Sequence, residues 1–227
     1  MSKAEGTGDR AVKGVIFDLD NTLVNFVEAK LKACEAVVDH LGRDDPEELF
    51  YQFLDGDHHI EDPQNIKDYL QSNNIFDKDL FERCSDIYRS TKLKNIELYP
   101  GVKDVLEELH ERGLKIGLVT DAESVDAMDR LKKVGLLDLF DAIVTFDDTG
   151  KKKPDPEPFL RCLDEMGSEP EEVVLVGDSL DRDVVPGKEL GMVTVHAKYG
   201  DENYKEEREV EADHSIGEVG GLMDVLQ

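Results

Sequence analysis

Cysteine is scarce in this sequence. The chain has 3 cysteines, Cys34, Cys84 and Cys162, which lie far apart and form no CxxC pair. A disulfide framework and a structural zinc site both need several cysteines at short, defined spacings. The sequence therefore argues against both kinds of site, and we expect three buried thiols instead.

Long apolar runs are also missing. No stretch reaches the roughly 18 apolar residues that cross a bilayer as a helix. The polar start, MSKAEGTGDR, has no apolar segment of the kind found in signal peptides. We therefore expect a cytoplasmic protein with no membrane partner. Nothing in the pattern indicates an oligomeric state.

Basic residues are much less frequent than acidic residues in this chain. The 27 Lys and Arg residues face 53 Asp and Glu residues, which gives a formal net charge of -26 at pH 7. Proteins that follow nucleic-acid phosphates present a basic patch or stripe, so we expect no nucleic-acid partner. Because hydrophobic residues make up 39% of the chain, we place the charge mainly on the surface of a folded protein. A salt-rich cytoplasm would suit such a surface.

Short apolar runs alternate with helical patterns over much of the 227 residues. The first run, Val15 to Phe17 in VKGVIFDLD, is continuously apolar, which is typical of a strand covered on both faces. The other predicted strands are 115–121, 141–148, 171–178 and 192–197. The predicted helices between them are 102–112, 122–134, 156–166 and 184–190. This alternation predicts an α/β fold with a Rossmann-like parallel sheet core and helices on both faces.

The region between the first strand and Pro100 is too long for one crossover and contains no convincing strand. Apolar residues recur there at three- and four-residue steps, which marks one face of a helix. These residues are Val27, Leu31, Cys34, Val38 and Leu41. A second helix is predicted over 79–91, and YPG at 99–101 is typical of a turn. We therefore predict a helical insertion at 24–96 within a core made of 1–23 and 97–227.

Polar side chains stand at the carboxyl ends of the predicted strands, where open parallel sheets bind their ligands. The first four strands provide, in turn, Asp18, Asp20 and Thr22; Thr120 and Asp121; Lys151, Lys152 and Lys153; and Asp178, Ser179, Asp181 and Asp183. If the first strand stays extended, Asp18 and Asp20 share a face. Several carboxylates around one lysine repel each other unless a cation sits among them, and a set of oxygen ligands suits Mg²⁺.

Four stretches resemble motifs of the haloacid dehalogenase-like (HAD) hydrolases, in the order of that family. They are DLDNT at 18–22, LVTD at 118–121, KKPDPEPF at 152–159 and VGDSLDRD at 176–183. The resemblance covers most of residues 13–223 apart from the insertion, whose position between the first two motifs resembles that of a helical cap in the family. It implies a phosphatase-type hydrolase with a catalytic core at 1–23 and 97–227 and a helical cap at 24–96.

The resemblance implies roles for the aspartates. Asp18 would attack phosphorus and carry an aspartyl-phosphate, which splits hydrolysis into two easier transfers. Asp20 would protonate the leaving alcohol and then deprotonate the attacking water. Mg²⁺ would be bound by the carboxylates of Asp18 and Asp178 and by the backbone carbonyl of Asp20. Asp183 would support the metal site.

The resemblance also implies a phosphate site. Thr120 and neighbouring backbone amides would bind phosphate oxygens, and Lys153 would neutralise charge on both the nucleophile and the transferred group. Asp121 is grouped with these substrate-binding residues, although a carboxylate beside phosphate is unfavourable unless it turns away. The family often has Asn at this position, and it often has Asp where this chain has Asn25. The roles of Asp121 and Asn25 therefore stay open.

Several of these features have a structural alternative. Thr120 could serve only as a helix N-cap, and Asp181 could equally be a surface residue. His58 and His59 in DGDHHIED suggest a metal site, but adjacent side chains diverge on a helix or strand, which favours a solvated loop. The aromatic residues predicted to lie in the core of the insertion are Tyr51, Phe53, Tyr69 and Phe81.

The leading prediction is a magnesium-dependent phosphomonoester hydrolase that acts on a small phosphorylated metabolite. A phosphomutase or phosphotransferase of the same fold remains an alternative, because the sequence does not separate transfer to a sugar from transfer to water. A non-catalytic phosphate-binding sensor ranks lower, since none of the four motifs is degraded. The dehalogenase chemistry of the family needs neither Mg²⁺ nor a second aspartate in the first motif. The presence of Asp20 and Asp178 therefore argues against dehalogenation.

Overall fold

The computed structural model describes residues 11–56, 58, 60–201 and 210–227. The polar start MSKAEGTGDR and His59, on which two of the predictions above depend, lie outside the described residues. The chain divides into two compact units. One consists of Leu98–Gln227 with the described residues up to Asn25, and the other is Phe26–Glu97. The role of the second unit as a cap stays a prediction.

The first unit is built on one parallel sheet. Its described strands are β1 (Gly14–Phe17), β2 (Lys115–Val119), β3 (Ala142–Val144), β4 (Val173–Gly177), β5 (Val193–Ala197) and β6 (His214–Ile216). The order across the sheet is β3-β2-β1-β4-β5-β6, and every neighbouring pair is parallel. All four residues of β1 are buried, so both faces of this central strand are covered. The prediction of a Rossmann-like α/β fold is confirmed.

Helices fill the connections between the strands and make up the second unit. In chain order, the described helices are α1 (Phe26–His40), α2 (Pro46–Asp55), α3 (Gln64–Ser72), α4 (Lys78–Asn95), α5 (Val102–Glu111), α6 (Ser124–Val134), α7 (Phe146–Thr149), α8 (Glu157–Met166), α9 (Val185–Leu190) and α10 (Leu222–Val225). The first four form the second unit, and the others belong to the sheet unit. One π-helical turn, Leu180–Val184, leads into α9.

The third strand is shorter than predicted. The prediction extends it over 141–148, but β3 ends at Val144 and the chain turns into α7. A capping box begins this short helix, because the N–H of Thr145 donates to Oδ2 of Asp148 at 2.7 Å. The local hydrogen bond therefore outweighs the strand-like pattern. Strand β6 is not among the predicted strands, because it is short and two of its three residues are exposed.

Helix α8 packs directly on β2 and β3. A Cβ atom on Gly117 of β2 would lie 2.6 Å from Sγ of Cys162 and 2.6 Å from Sδ of Met166, both on α8. Only glycine permits such a close approach of helix to strand. Cys162 and Met166 join Ile16 and Phe159 in the buried core on this face of the sheet.

In the second unit, the buried face of α1 is rotated from the predicted one. Cys34 and Val38 are buried, as predicted, whereas Val27 and Leu31 are only half-buried. The face that α1 buries contains small side chains, which let α4 pack closely against it. These small residues include Ala29, Ala33 and Val37.

The four aromatic residues predicted for the core of the second unit lie on α2, α3 and α4, and three of them are buried or partly buried. Phe53 and Tyr69 are buried, and Phe81 is partly buried against the same core. Tyr51 is 58% exposed, so its placement in the core was wrong: it lies two residues from Phe53 and off the buried face. Nε2 of His58 lies 3.0 Å from Oδ2 of Asp68.

The structure bears on the two predictions made from the few cysteines and from the lack of long apolar runs. All three cysteines are free and buried, as predicted. In the described part of the chain, no helix combines the length and the apolar character that a membrane span requires.

Candidate active site at the carboxyl ends of β1 and β4

The order of the strands places β1 beside β4, at the point where the direction of winding reverses. Phe17 of β1 is in register with Val176 of β4, and the N–H of Asp18 donates to the carbonyl of Val176 at 3.0 Å. Asp18 and Asp178 therefore follow the two strands within one residue of the same level. Ligands of doubly wound sheets bind in the crevice at this reversal.

Three carboxylates meet in this crevice. One oxygen each from Asp18, Asp178 and Asp183 can be chosen so that the three lie within 4.8 Å of one another, and all three residues are buried. The sequence predicts the gathering of these aspartates at the strand ends. The structure adds that the carboxylate of Asp183 is as close to the group as the other two.

Lys153 provides the positive charge closest to these carboxylates. Its Nζ donates to Oδ1 of Asp18 at 2.5 Å and to Oδ1 of Asp183 at 2.7 Å. Burial by itself lowers the pKa of Lys153, but the carboxylates of Asp18 and Asp183 more than compensate, so that the pKa lies above its ordinary value. Lys153 is therefore a fixed ammonium that joins the nucleophile candidate to Asp183.

The charges of this cluster do not balance. Three carboxylates face two positive groups, the ammonium of Lys153 and the guanidinium of Arg182. Burial lowers the pKa of Arg182, but the three carboxylates raise it above its ordinary value. Burial, followed by repulsion from Asp18 and Asp183, raises the pKa of Asp178 well above its ordinary value. Oδ1 of Asp178 is also buried without a hydrogen-bond partner among the described residues. These residues fit a divalent cation with oxygen ligands, of which Mg²⁺ is the usual example in phosphoryl transfer.

The π-helical turn after β4 directs Asp183 back toward the cluster. The N–H of Ser179 donates to Oδ2 of Asp183 at 3.2 Å. A Cβ atom on Gly177 would lie 2.3 Å from Cγ of Asp183, so the buried carboxylate occupies the space that any other residue at 177 would fill. The glycine in VGDSLDRD is therefore part of the geometry of the site.

Asp20 is held differently from Asp18. Its Oδ2 accepts a hydrogen bond from Nη1 of Arg130 at 2.5 Å, and the guanidinium side chain is 2% exposed. The chain has left the extended strand by this point, because β1 ends at Phe17 and Asn21 has a φ of 61°. The expectation that Asp18 and Asp20 share the face of one extended strand therefore does not describe this turn.

A second loop packs on the turn that carries Asp20. Tyr199 Oη donates to the carbonyl of Thr22 at 2.8 Å. A Cβ atom on Gly200 would lie 1.5 Å from the carbonyl oxygen of Asn21, so glycine is required at this contact. The segment after β5 thus holds the turn after β1 in place.

Thr120 follows β2 and is buried next to the strand ends. Its N–H donates to the carbonyl of Val144 at 3.0 Å, and its Oγ1 accepts a hydrogen bond from the N–H of Ala122 at 3.2 Å. The N-cap of α6 is Glu123, so the alternative of Thr120 as a helix cap is wrong. Its hydroxyl fixes the loop before the helix instead.

The carboxylate of Asp121 is directed to the neighbouring loop. Its Oδ1 accepts a hydrogen bond from the N–H of Lys153 at 2.9 Å, and its Oδ2 lies 3.6 Å from Nη1 of Arg182. These contacts give Asp121 a part in placing Lys153. Contact of Asp121 with substrate stays a prediction, and the roles of Asn25 and Asp181 stay open.

Sequence reasoning missed three residues that border the site. They are Arg130, Arg182 and His196. Nε2 of His196 lies 3.0 Å from the carbonyl of Asp178, so this ring supports the loop after β4. For Arg130 a signal was present: it occupies the apolar face of α6 between Ala127 and Leu131, where a charge needs a buried partner. No local pattern marks His196.

Comparisons with known proteins agree with this geometry. Residues 15–197 match the family model described as haloacid dehalogenase-like hydrolase. The chain is 32% identical over 224 residues to the glyceraldehyde 3-phosphate phosphatase of Methanocaldococcus jannaschii, with 95% of this chain and 97% of that protein covered. It is 30% identical to the phosphoglycolate phosphatase of Chromobacterium violaceum, with coverage of 95% and 97%.

A solved structure supports the same conclusion. The HAD phosphatase from Thermococcus onnurineus is 28% identical, superposes with a TM-score of 0.66, and the match covers 95% of this chain and 98% of that one. Family model, relatives and fold all span the strand ends where Asp18, Lys153 and Asp178 meet. The chain belongs to the haloacid dehalogenase-like hydrolases, as an enzyme of the phosphatase type.

Proposed function

We propose that this enzyme hydrolyses phosphomonoesters of small metabolites in a magnesium-dependent reaction that passes through an aspartyl-phosphate on Asp18. One observation carries the proposal. The carboxylate of Asp18 is buried at the reversal of the sheet, hydrogen-bonded to Lys153 and grouped with Asp178 and Asp183. A nucleophilic carboxylate beside a fixed ammonium is suited to phosphoryl transfer, which depends mainly on positioning and charge.

Each side chain has a role in this proposal. Asp18 attacks phosphorus, and Asp20 gives a proton to the leaving alcohol and later takes one from water. Lys153 offsets negative charge on Asp18 and on the transferred group. Thr120 and nearby N–H groups bind phosphate oxygens. When bound by the carboxylates of Asp18 and Asp178 and the carbonyl of Asp20, Mg²⁺ supplies positive charge against both the cluster and the phosphoryl oxygens.

The second unit, predicted as 24–96, serves as a cap in this proposal. A cap limits what can enter a site and keeps bulk water away during the first transfer. Two relatives of this chain are named for glyceraldehyde 3-phosphate and phosphoglycolate. We therefore propose a small phosphorylated metabolite as substrate, with these two compounds as the first to test.

The experiment is inorganic phosphate release from a panel of phosphomonoesters, with Mg²⁺ or with EDTA. Wild type is compared with Asp18→Asn, which keeps the size of the side chain and removes the nucleophilic charge. Asp104→Asn is the matched control, because Asp104 is exposed in the first turn of α5. We expect Mg²⁺-dependent release that Asp18→Asn abolishes and Asp104→Asn preserves.

Two results would count against the proposal. Release that persists in folded Asp18→Asn would remove Asp18 as the nucleophile. Consumption of a substrate without phosphate release, with an isomeric phosphoester as product, would replace hydrolysis by the mutase alternative. Far-UV circular dichroism of each variant shows whether a loss of activity comes from unfolding.

A further inference from the structure

Arg130 is a buried charge that the proposed reaction does not yet use. It lies on α6, between Ala127 and Leu131 on the face that the helix buries. Its guanidinium reaches across to the turn after β1 and contacts Asp20, 110 residues away in sequence, at 2.5 Å. The pair joins the helix that follows β2 to the residue assigned to proton transfer.

Stability alone gives a poor reason for this pair. Removing a guanidinium from water is costly, and replacing a buried ion pair with apolar side chains of similar volume is often neutral or stabilising. The neighbours of Arg130 on α6, Ala127 and Leu131, are apolar and fully buried, so an apolar residue would suit the helix. Asp20, in contrast, is an aspartate whose orientation matters to the chemistry, and Arg130 contacts it directly.

We infer that Arg130 is a positioning residue that orients the Asp20 carboxylate for proton transfer, an inference that rests on the proposed function of Asp20. A charge-assisted hydrogen bond to Oδ2 restricts rotation of the carboxylate about its Cβ–Cγ bond. The direction of Oδ1 is thereby fixed as well. Arg130 lies on α6, the helix that follows Thr120. The same helix therefore borders the proposed phosphate-binding loop and holds the carboxylate of Asp20 in position.

The two proton transfers define what the orientation must achieve. In the first step, Asp18 bonds to phosphorus, the bond from phosphorus to the ester oxygen breaks, and a proton moves from Asp20 to that oxygen. In the second step, water bonds to phosphorus, gives its proton to Asp20, and the bond from phosphorus to Asp18 breaks. Both steps need the same carboxylate within hydrogen-bond reach of the oxygen concerned.

Leaving-group dependence separates this role from a structural one. A proton donor matters most when the leaving oxygen is strongly basic. The test therefore uses two esters of similar size, p-methoxyphenyl phosphate with the more basic leaving group and p-nitrophenyl phosphate with the less basic one. We expect Arg130→Met to lower kcat/KM about tenfold more for the first ester than for the second, a part of the 10² to 10⁴ that proton transfer contributes. Arg130→Lys, which keeps the charge, is expected to recover most of the loss.

A double variant shows whether Arg130 acts through Asp20. If it does, Asp20→Asn with Arg130→Met is no slower than Asp20→Asn alone, because the two residues form one unit. Arg112→Met is the matched control. It removes an exposed arginine just after the end of α5, whose Nη2 lies 2.6 Å from Oε1 of Glu108 on that helix, and we expect it to change neither ester's rate.

The outcomes are distinct. Equal losses on both esters, no loss at all, or additive losses in the double variant would overturn the inference while leaving the proposed function intact. If Asp20→Asn itself loses no more activity on p-methoxyphenyl phosphate than on p-nitrophenyl phosphate, the proton-transfer role of Asp20 fails and the inference fails with it. If Arg130→Met does not fold, Arg130→Lys and Arg130→Gln provide the same comparison.

Discussion

At the scale of single residues, Asp178 presents an electrostatic problem that a cation would resolve. Its pKa is raised by burial and by the neighbouring carboxylates of Asp18 and Asp183. Asp178→Asn removes one of these repelling charges. We therefore expect the variant to unfold at a higher temperature than wild type in EDTA, because the apo cluster then carries less negative charge.

The same variant should lose the response to Mg²⁺. A ligand present at a hundredfold above its Kd stabilises the folded state by about 2.7 kcal/mol. For a chain of this size, each kcal/mol raises the melting temperature by roughly 2–4 °C. Thermal melts with and without Mg²⁺ should show this increase for wild type and for Asp104→Asn, and little or none for Asp178→Asn. An equal increase in all three proteins would place the metal elsewhere.

Lys153 gives a second prediction at this scale. Lys153→Met leaves the buried carboxylates of Asp18 and Asp183 without their ammonium partner, and loss of one member of a buried pair typically costs about 3–5 kcal/mol. We expect the variant to be inactive and destabilised by this amount in EDTA, as measured by urea denaturation. Added Mg²⁺ should restore part of the stability. Lys152→Met is the control, because this neighbouring lysine is half-buried and its Nζ lies 5.1 Å from the centroid of the Phe146 ring. We expect it to remain active.

Residues of the site differ in how well the sequence could predict them. Asp18 and Asp178 directly follow the apolar strands β1 and β4, so their positions at the strand ends were predictable, whereas Lys153 lies in the loop beyond α7 and was identified by its motif, KKPDPEPF. The contact of Asp20 with Arg130 was not predictable, because it joins positions 110 residues apart in the sequence. The direction of Asp121 also depends on a distant backbone N–H, that of Lys153. Local sequence determines the position of such a residue in its secondary-structure element or loop, whereas tertiary packing determines what its side chain contacts.

At the scale of secondary-structure elements, the contact of α8 with β2 depends on the absence of a side chain. We expect Gly117→Ala to destabilise the sheet unit by about 1–3 kcal/mol, because the added methyl group has to displace Cys162 or Met166 from a packed core. Chemical denaturation measures the change. Gly217→Ala is the control, since a Cβ atom there meets nothing within 4 Å. A loss below about 0.5 kcal/mol would show that α8 moves aside at little cost.

The elements also show where pattern reasoning fails. Runs buried on both faces, such as Val15 to Phe17, predict strands well because no polar residue interrupts them. The stretch after Val144 was predicted as strand, yet Thr145 and Asp148 form a capping box that turns it into α7. Strand β6 is mostly exposed and therefore lacks the apolar run on which strand prediction depends.

At the scale of the whole molecule, the formal charge of -26 at pH 7 opposes the approach of an anionic phosphate. Screening shortens the range of this repulsion, from about 30 Å at 0.01 M salt to about 10 Å at 0.1 M. We expect kcat/KM to rise as NaCl increases over this range at saturating Mg²⁺, with kcat nearly constant, because salt changes the encounter and not the buried chemistry. Melting temperatures recorded in the same buffers show whether salt also stabilises the folded protein, which separates an effect on substrate encounter from an effect on stability. If kcat/KM instead falls steadily from the lowest ionic strength, attraction to Lys153 and the bound cation dominates the encounter, and the net charge of the surface has little influence on substrate capture.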